Sequence, residues 1–262
     1  MRCIRSTLLL LALLPSPPAA GDDDSAARIV QTRWIGAAVI VAWGLAQWDY
    51  GEKDLHFRSE GWFGADTKEG GADKAGHLYT AYLMTRAFDG LYRHWGSSDA
   101  EAAREAAVSS LLLTSLIELG DGFSPYGISG EDMAMNVAGT AAGYWLARDA
   151  VWRERLDLRV EYRFNRAAGD ISTDYENGRY LLALKPAGFT ALADTPLQWL
   201  EVHAGYYARG YSEPDKTPRR VSYLGFGINL SRLLRRHDWP RTATVLQYYQ
   251  PPGTTLRAEH EH

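Results

Sequence analysis

Three short stretches gather the side chains able to do chemistry: Gly71-Ala-Asp-Lys-Ala-Gly-His77, Glu118-Leu-Gly-Asp-Gly-Phe-Ser124, and Ser129-Gly-Glu-Asp-Met-Ala-Met-Asn136 with Gly139 following. Each lies at the end of an otherwise apolar segment. Asp73 and His77 are four apart, as are Asp132 and Asn136, so on helices each pair shares a face. The spacing predicts a polar cluster between helices, built from Asp73, Lys74, His77, Glu118, Asp121, Ser129, Asp132 and Asn136. Three chemistries are open to it. As a structural network, Lys74 and His77 neutralise carboxylates while the Asn136 amide satisfies backbone at helix ends. As a binding site, the same groups hydrogen-bond a polar substrate or lipid headgroup at the mouth of an apolar bundle. As a metal or acid/base centre, Asp73 and His77 form an i,i+4 ligand pair that Glu118 or Asp132 completes. The first two are preferred, so no catalytic residue, metal or other cofactor is assigned.

Absences weigh against an enzyme. The sequence has no His-Glu-x-x-His pair, no Gly-x-Ser-x-Gly elbow and no phosphate-binding glycine loop. It also lacks the arginine-rich and Ser-Gly-His arrangement of lipid phosphatases. Ser124 and Ser129 read as turn and cap residues rather than nucleophiles. His203, within an alternating run, reads as an exposed or satisfied strand histidine. The terminal Glu259-His-Glu-His262 reads as a solvated charge run.

Four apolar segments must position these groups, and all read as helices. The first, around Trp34 to Ala46, is shorter than a usual membrane span; a core helix is preferred and an interfacial or inserted one comes second. Asp49 to Gly71 is a Gly- and charge-rich loop. The second helix spans about Ala72 to Trp95. Ser98-Asp-Ala-Glu101 is a capping box for the third, which Gly120 and Gly122 end. Ser129 caps the fourth, through about Val151, where Asp132, Asn136, Gly139 and Gly143 form one stripe and the two glycines allow a close helix crossing. From Leu156 the period becomes two: Leu156, Leu158, Val160, Tyr162 and Phe164 alternate with Asp157, Arg159, Glu161, Arg163 and Asn165, as in a strand with one wet face. Further strands are expected near 178–185, 199–211 and 220–230. Four strands are too few for a closed outer-membrane barrel. A short helix near Leu233 to Gln247 and a polar tail follow.

The order Asp-Lys-x-x-His, an acidic residue after an apolar run, then Ser-x-x-Asp-x-x-x-Asn-x-x-Gly resembles the YfiM-like family of periplasmic lipoproteins of unknown function, and more distantly VanZ-like membrane proteins. The matching positions are Asp73, Lys74, His77, Glu118, Asp121, Ser129, Asp132, Asn136 and Gly139, within residues 34–152. The resemblance implies an envelope location and brings no reaction with it.

The start agrees. Met-Arg-Cys-Ile-Arg5, an apolar run from Leu8 to Leu14 and Pro15-Ser-Pro-Pro-Ala-Ala20 have the layout of a secretory signal cut near Ala20. Cys3, the only cysteine, falls ahead of the apolar run, where it cannot become the lipidated first residue, and disulfides are excluded. A net charge of -4 without a basic tract gives no footprint for nucleic acid. The expected architecture is α+β: leader 1–20, helical domain 29–152, antiparallel β module 155–232, and a short helix and tail 233–262. The expected role is binding or structural, in the periplasm or at the outer membrane. Expected partners are a membrane surface, an envelope lipid or glycan, or another envelope protein. The alternative is a metal-assisted or acid/base hydrolase of an envelope lipid or glycan.

Overall fold

A computed structural model describes residues 24–164, 170–212 and 215–262; the expected leader and Cys3 lie outside them. The chain divides into two compact units, a helical one of Met1–Glu60 and Thr80–Arg148 and a sheet one of Gly61–Tyr79 and Asp149–His262.

The long helices are α1 (Asp24–Gln47), α2 (Ala72–His94), α3 (Asp99–Asp121) and α4 (Gly130–Arg148). Helix α2 starts in the sheet unit and continues into the helical one. Both expected caps are present: Ser98 Oγ accepts from the Glu101 N–H, and Ser129 Oγ accepts from the Asp132 N–H at 3.2 Å. Helix α1 buries Ala37 and Val41 against Leu113 and Leu116 of α3. Its Ile35, Val39 and Trp43, four apart, are exposed. It therefore joins the core through one face only. Among the described residues it is the one helix long and apolar enough, by length and composition, to cross a membrane. Helices α2 and α4 cross closely, since a Cβ on Gly143 would lie 2.7 Å from the Thr85 Cβ.

Helix α4 ends at Arg148, and Asp149 caps a separate short α5 (Ala150–Arg155) by accepting from the Trp152 N–H. Five antiparallel strands follow in sequence order: β1 (Leu156–Tyr162), β2 (Gly178–Leu184), β3 (Leu200–Arg209), β4 (Arg219–Ile228) and β5 (Thr255–Glu261). The fifth corrects the expected solvated tail and carries the β module past residue 232. Its apolar alternation is only Leu256 and Ala258, too short to mark it; pairing along β4, from Gly227↔Thr255 to Val221↔Glu261, makes it a strand. The single helix expected near 233–247 is two, α6 (Leu230–Arg236) and α7 (Pro240–Val245), separated where Asp238 takes a positive φ of 62° ahead of Pro240.

The faces of the sheet are also reversed from the expected order. Asp157, Arg159 and Glu161, read as the wet side, are buried, while the apolar side of the sheet exposes Leu182, Leu200, Leu224, Phe226, Ile228 and Leu256. The cause is curvature. In a flat sheet β1 and β5 would stand roughly 19 Å apart, four strand spacings, yet Glu161 of β1 meets Arg257 of β5 at 3.3 Å. The sheet is rolled, and the outer edge of β1 is closed by Tyr248–Gln250, where the Val160 N–H donates to the Tyr248 carbonyl and the Gln250 N–H to the Val160 carbonyl.

Candidate functional site

In the helical unit, helical spacing brings two polar ridges together. Ser110, Thr114 and Glu118 are four apart on α3; Asp132, Asn136 and Thr140 are four apart on α4, and all six are buried. Ser110 Oγ lies 3.2 Å from Thr140 Oγ1, and Asn136 Nδ2 donates to Glu118 Oε1 at 3.2 Å. Thr114 Oγ1 donates back to the Ser110 carbonyl at 2.9 Å. A carboxylate held this deep between helices is a strong acceptor, because little water competes for it.

The end of α3 is tightly tied. The Asp121 carbonyl accepts from the N–H groups of Ser124 and Gly127, both at 2.9 Å, and from Ser124 Oγ at 3.0 Å. Tyr50 lies across Gly44 and Gly120, where a Cβ at either glycine would strike its ring. Its hydroxyl donates to the Ile117 carbonyl at 3.0 Å. Burial first, then the charges of Asp121 and Glu118, raise the Tyr50 phenol above its ordinary range, so it stays a donor at any physiological pH.

In the sheet unit, the first turns of α2 carry the other predicted residues. Asp73 and Lys74 are buried as an ion pair of 2.6 Å, and His77 is half-buried one turn on. This segment is seated by tyrosines. Tyr79 donates to the Tyr248 carbonyl at 2.7 Å, Tyr206 donates to the Gly70 carbonyl, and Phe63 meets Tyr206 edge-on. A Cβ on Gly76 would lie 2.5 Å from the Tyr175 ring, so the helix can approach only with glycine there. Burial pushes the Tyr206 phenol up to about 12, against the pull of Arg220, with Tyr211 and Asp73 adding to the rise.

Thus the structure joins Glu118 to Asn136, Ser129 to Asp132 and Asp73 to Lys74, while Asp121 ties the α3 end through its backbone. Of the packing glycines, Gly143 marks the close crossing and Gly139 is buried on the same helix.

Sequence reasoning missed a second charged centre, inside the rolled sheet. Arg159 donates to both Glu201 oxygens at 2.7 and 2.8 Å, to Asp157 at 2.6 Å and to Gln250 at 2.9 Å. Lys185 pairs with Asp157 at 2.7 Å, and Glu161 takes both Arg179 and Arg257. His203 is buried between Thr255 (3.0 Å) and Glu201 (3.2 Å), so it is the satisfied rather than the exposed strand histidine. Burial raises the Glu201 carboxyl, but hydrogen bonds from His203 and Arg159 and their charges outweigh it, and the net shift is downward. One signal could have shown this face to be internal. It alternates large residues with glycine, and Tyr223 lies over Gly205 as His203 lies over Gly227, the small-beside-large filling of a curled sheet.

A helical unit with a carboxylate–carboxamide seam and a sheet unit rolled with charges inside and aliphatics outside make this an α+β protein. Residues 59–148 match the model of a family described as "Predicted periplasmic lipoprotein (DUF2279)". No curated protein and no solved structure shows a significant match to the chain. The protein is exported and belongs to the periplasm or the outer-membrane side of the envelope. The matched segment holds every predicted site residue and both packing glycines, and it ends before the sheet begins.

Proposed function

We propose that this protein is a binding component of the cell envelope, and that the polar residues of the matched segment recognise a polar group of an envelope lipid or glycan. In the helical unit these are Glu118, Asp121, Ser129, Asp132 and Asn136; in the sheet unit the start of α2 carries a separate set, Asp73, Lys74 and His77. The carrying observation is the Glu118–Asn136 pair, a carboxylate and a carboxamide both buried between ridges that also carry the Asp132 carboxylate and the hydroxyls of Ser110, Thr114 and Thr140. A core needs no such pair for stability, because apolar residues of similar volume serve as well or better.

Native mass spectrometry of protein purified from envelope membranes in mild detergent tests the reading. Wild type should carry an envelope lipid or glycan. Glu118→Gln and Asp132→Asn should lose it with an unchanged melting temperature, while His77→Gln, which keeps hydrogen-bonding capacity, should retain it. The same bound species retained by Glu118→Gln and Asp132→Asn, or a wild type that carries none, would leave these residues as scaffold.

A second reading draws on one observation: Asp73 and His77 lie four apart on α2, a carboxylate and an imidazole on one helix face, an i,i+4 pair suited to a divalent cation. Under it, the protein is a metal-assisted hydrolase of the same class of envelope molecule. Elemental analysis of the purified protein should then show stoichiometric metal that His77→Gln removes, and a metal-free wild type would end this reading.

A further inference from the structure

The outer face of the rolled sheet is a continuous apolar surface. Across β3 and β4, Leu200 pairs with Ile228, Val202 with Phe226 and Ala204 with Leu224; β5 adds Leu256 beside Phe226 and Ala258 beside Leu224. Leu224 is 66% exposed, Phe226 62%, Ile228 54% and Leu256 83%. Scattered single apolar residues would need no explanation, but adjacent ones in register form a patch of the kind that marks an interaction site.

The rim of the patch says what covers it. Directly after Ile228 the chain enters α6 and α7, where Arg235, Arg236 and Arg241 are exposed together with Leu233 and Trp239. Asp238 is the one acidic residue from Asn229 to Val245. Arg232 and Arg236 also stack on Trp199, the neighbour of Leu200. Aliphatic and phenyl groups, then indoles, then guanidinium groups follow the order met in passing from acyl chains through the interface to anionic headgroups. A second copy of the chain fits less well. Among the described residues, the strand positions on this outer face include no acidic side chain to meet the arginine rim.

We propose that the outer face of the sheet, from Leu224 to Leu256 with the α6–α7 rim, docks on an anionic lipid surface. This goes beyond the polar-site reading and does not depend on it.

Vesicle flotation tests the proposal, using residues 21–262, the chain that follows the expected leader. The probes are vesicles of phosphatidylethanolamine with phosphatidylglycerol, and vesicles of phosphatidylcholine alone. Wild type should float with the anionic vesicles and far less with the neutral ones. Phe226→Asp or Leu256→Asp should weaken partition by roughly ten- to hundredfold, the effect of one large apolar side chain withheld from burial. Arg235→Glu combined with Arg236→Glu should remove the preference for anionic vesicles. These positions are exposed, and an unchanged far-ultraviolet circular dichroism spectrum certifies each variant as folded. Val39→Asp on α1 is the control. Binding lost in Val39→Asp and kept in Phe226→Asp would move docking to that helix and overturn the proposal. So would a wild type that ignores the vesicles, or one that instead forms a dimer dissolved by Phe226→Asp.

Discussion

Glu201 shows how far a single residue can set the behaviour of its surroundings. It is fully buried, yet it is held ionised because His203 and Arg159 both bond it. Its folded pKa is depressed below the ordinary 4.5. A depressed carboxyl contributes stability that is fully present above the unfolded value and is lost as pH falls through the folded one. The sheet unit should therefore weaken below about pH 4.5, and urea unfolding followed across that range should show Glu201→Gln with a shallower loss than wild type. At neutral pH, Glu201→Ala should cost about 3–5 kcal/mol, because it leaves the Arg159 charge buried with its main partner gone. Equal acid sensitivity in wild type and Glu201→Gln would count against this. Of this centre the sequence offered only the glycines set against Tyr223 and His203. Alternation of Leu156, Leu158 and Val160 with Asp157, Arg159 and Glu161 shows that a strand has two faces, but the assignment of one to water assumes an open sheet. By contrast, Ser98, Ser129, the Asp132–Asn136 ridge and the glycine stripe were all readable, because each depends on spacing within one helix.

At the scale of elements, helix positions were readable because hydrophobic runs, caps and glycines act locally. The fifth strand was not, since its pairing with β4 is a property of the neighbour rather than of Thr255–Glu261 itself. The α2–α4 crossing is the element contact most open to test. Thr85 Cβ would lie 2.7 Å from a Cβ at position 143, and the Tyr82 carbonyl 3.1 Å from it. Gly143→Leu should therefore lower stability by about 1–3 kcal/mol, the cost of overpacking, and Gly143→Ala by less. Thermal unfolding of the two variants, side by side with wild type, measures it. A melting temperature unchanged in Gly143→Leu would show that the helices can separate at that point without loss.

For the molecule as a whole, two units are built on opposite economies of surface. The helical unit buries Ala37, Val41, Leu113 and Leu116 in the usual way. The rolled sheet keeps Leu224, Phe226, Ile228 and Leu256 outside and folds its ions inward. The consequence is calorimetric. Unfolding raises heat capacity by wetting apolar surface and lowers it by wetting polar surface. Here the sheet's aliphatic band is already wet in the native state, and what melting newly hydrates includes guanidinium, carboxylate and ammonium groups beside a small apolar cluster of Leu181, Tyr207, Val221 and Tyr223. The heat-capacity increment of the full chain should fall short of the roughly 12–15 cal/mol/K per residue of ordinary globular proteins. Its stability should accordingly change unusually little on cooling, so a protein of this kind keeps much of its native stability in the cold as well as at growth temperature.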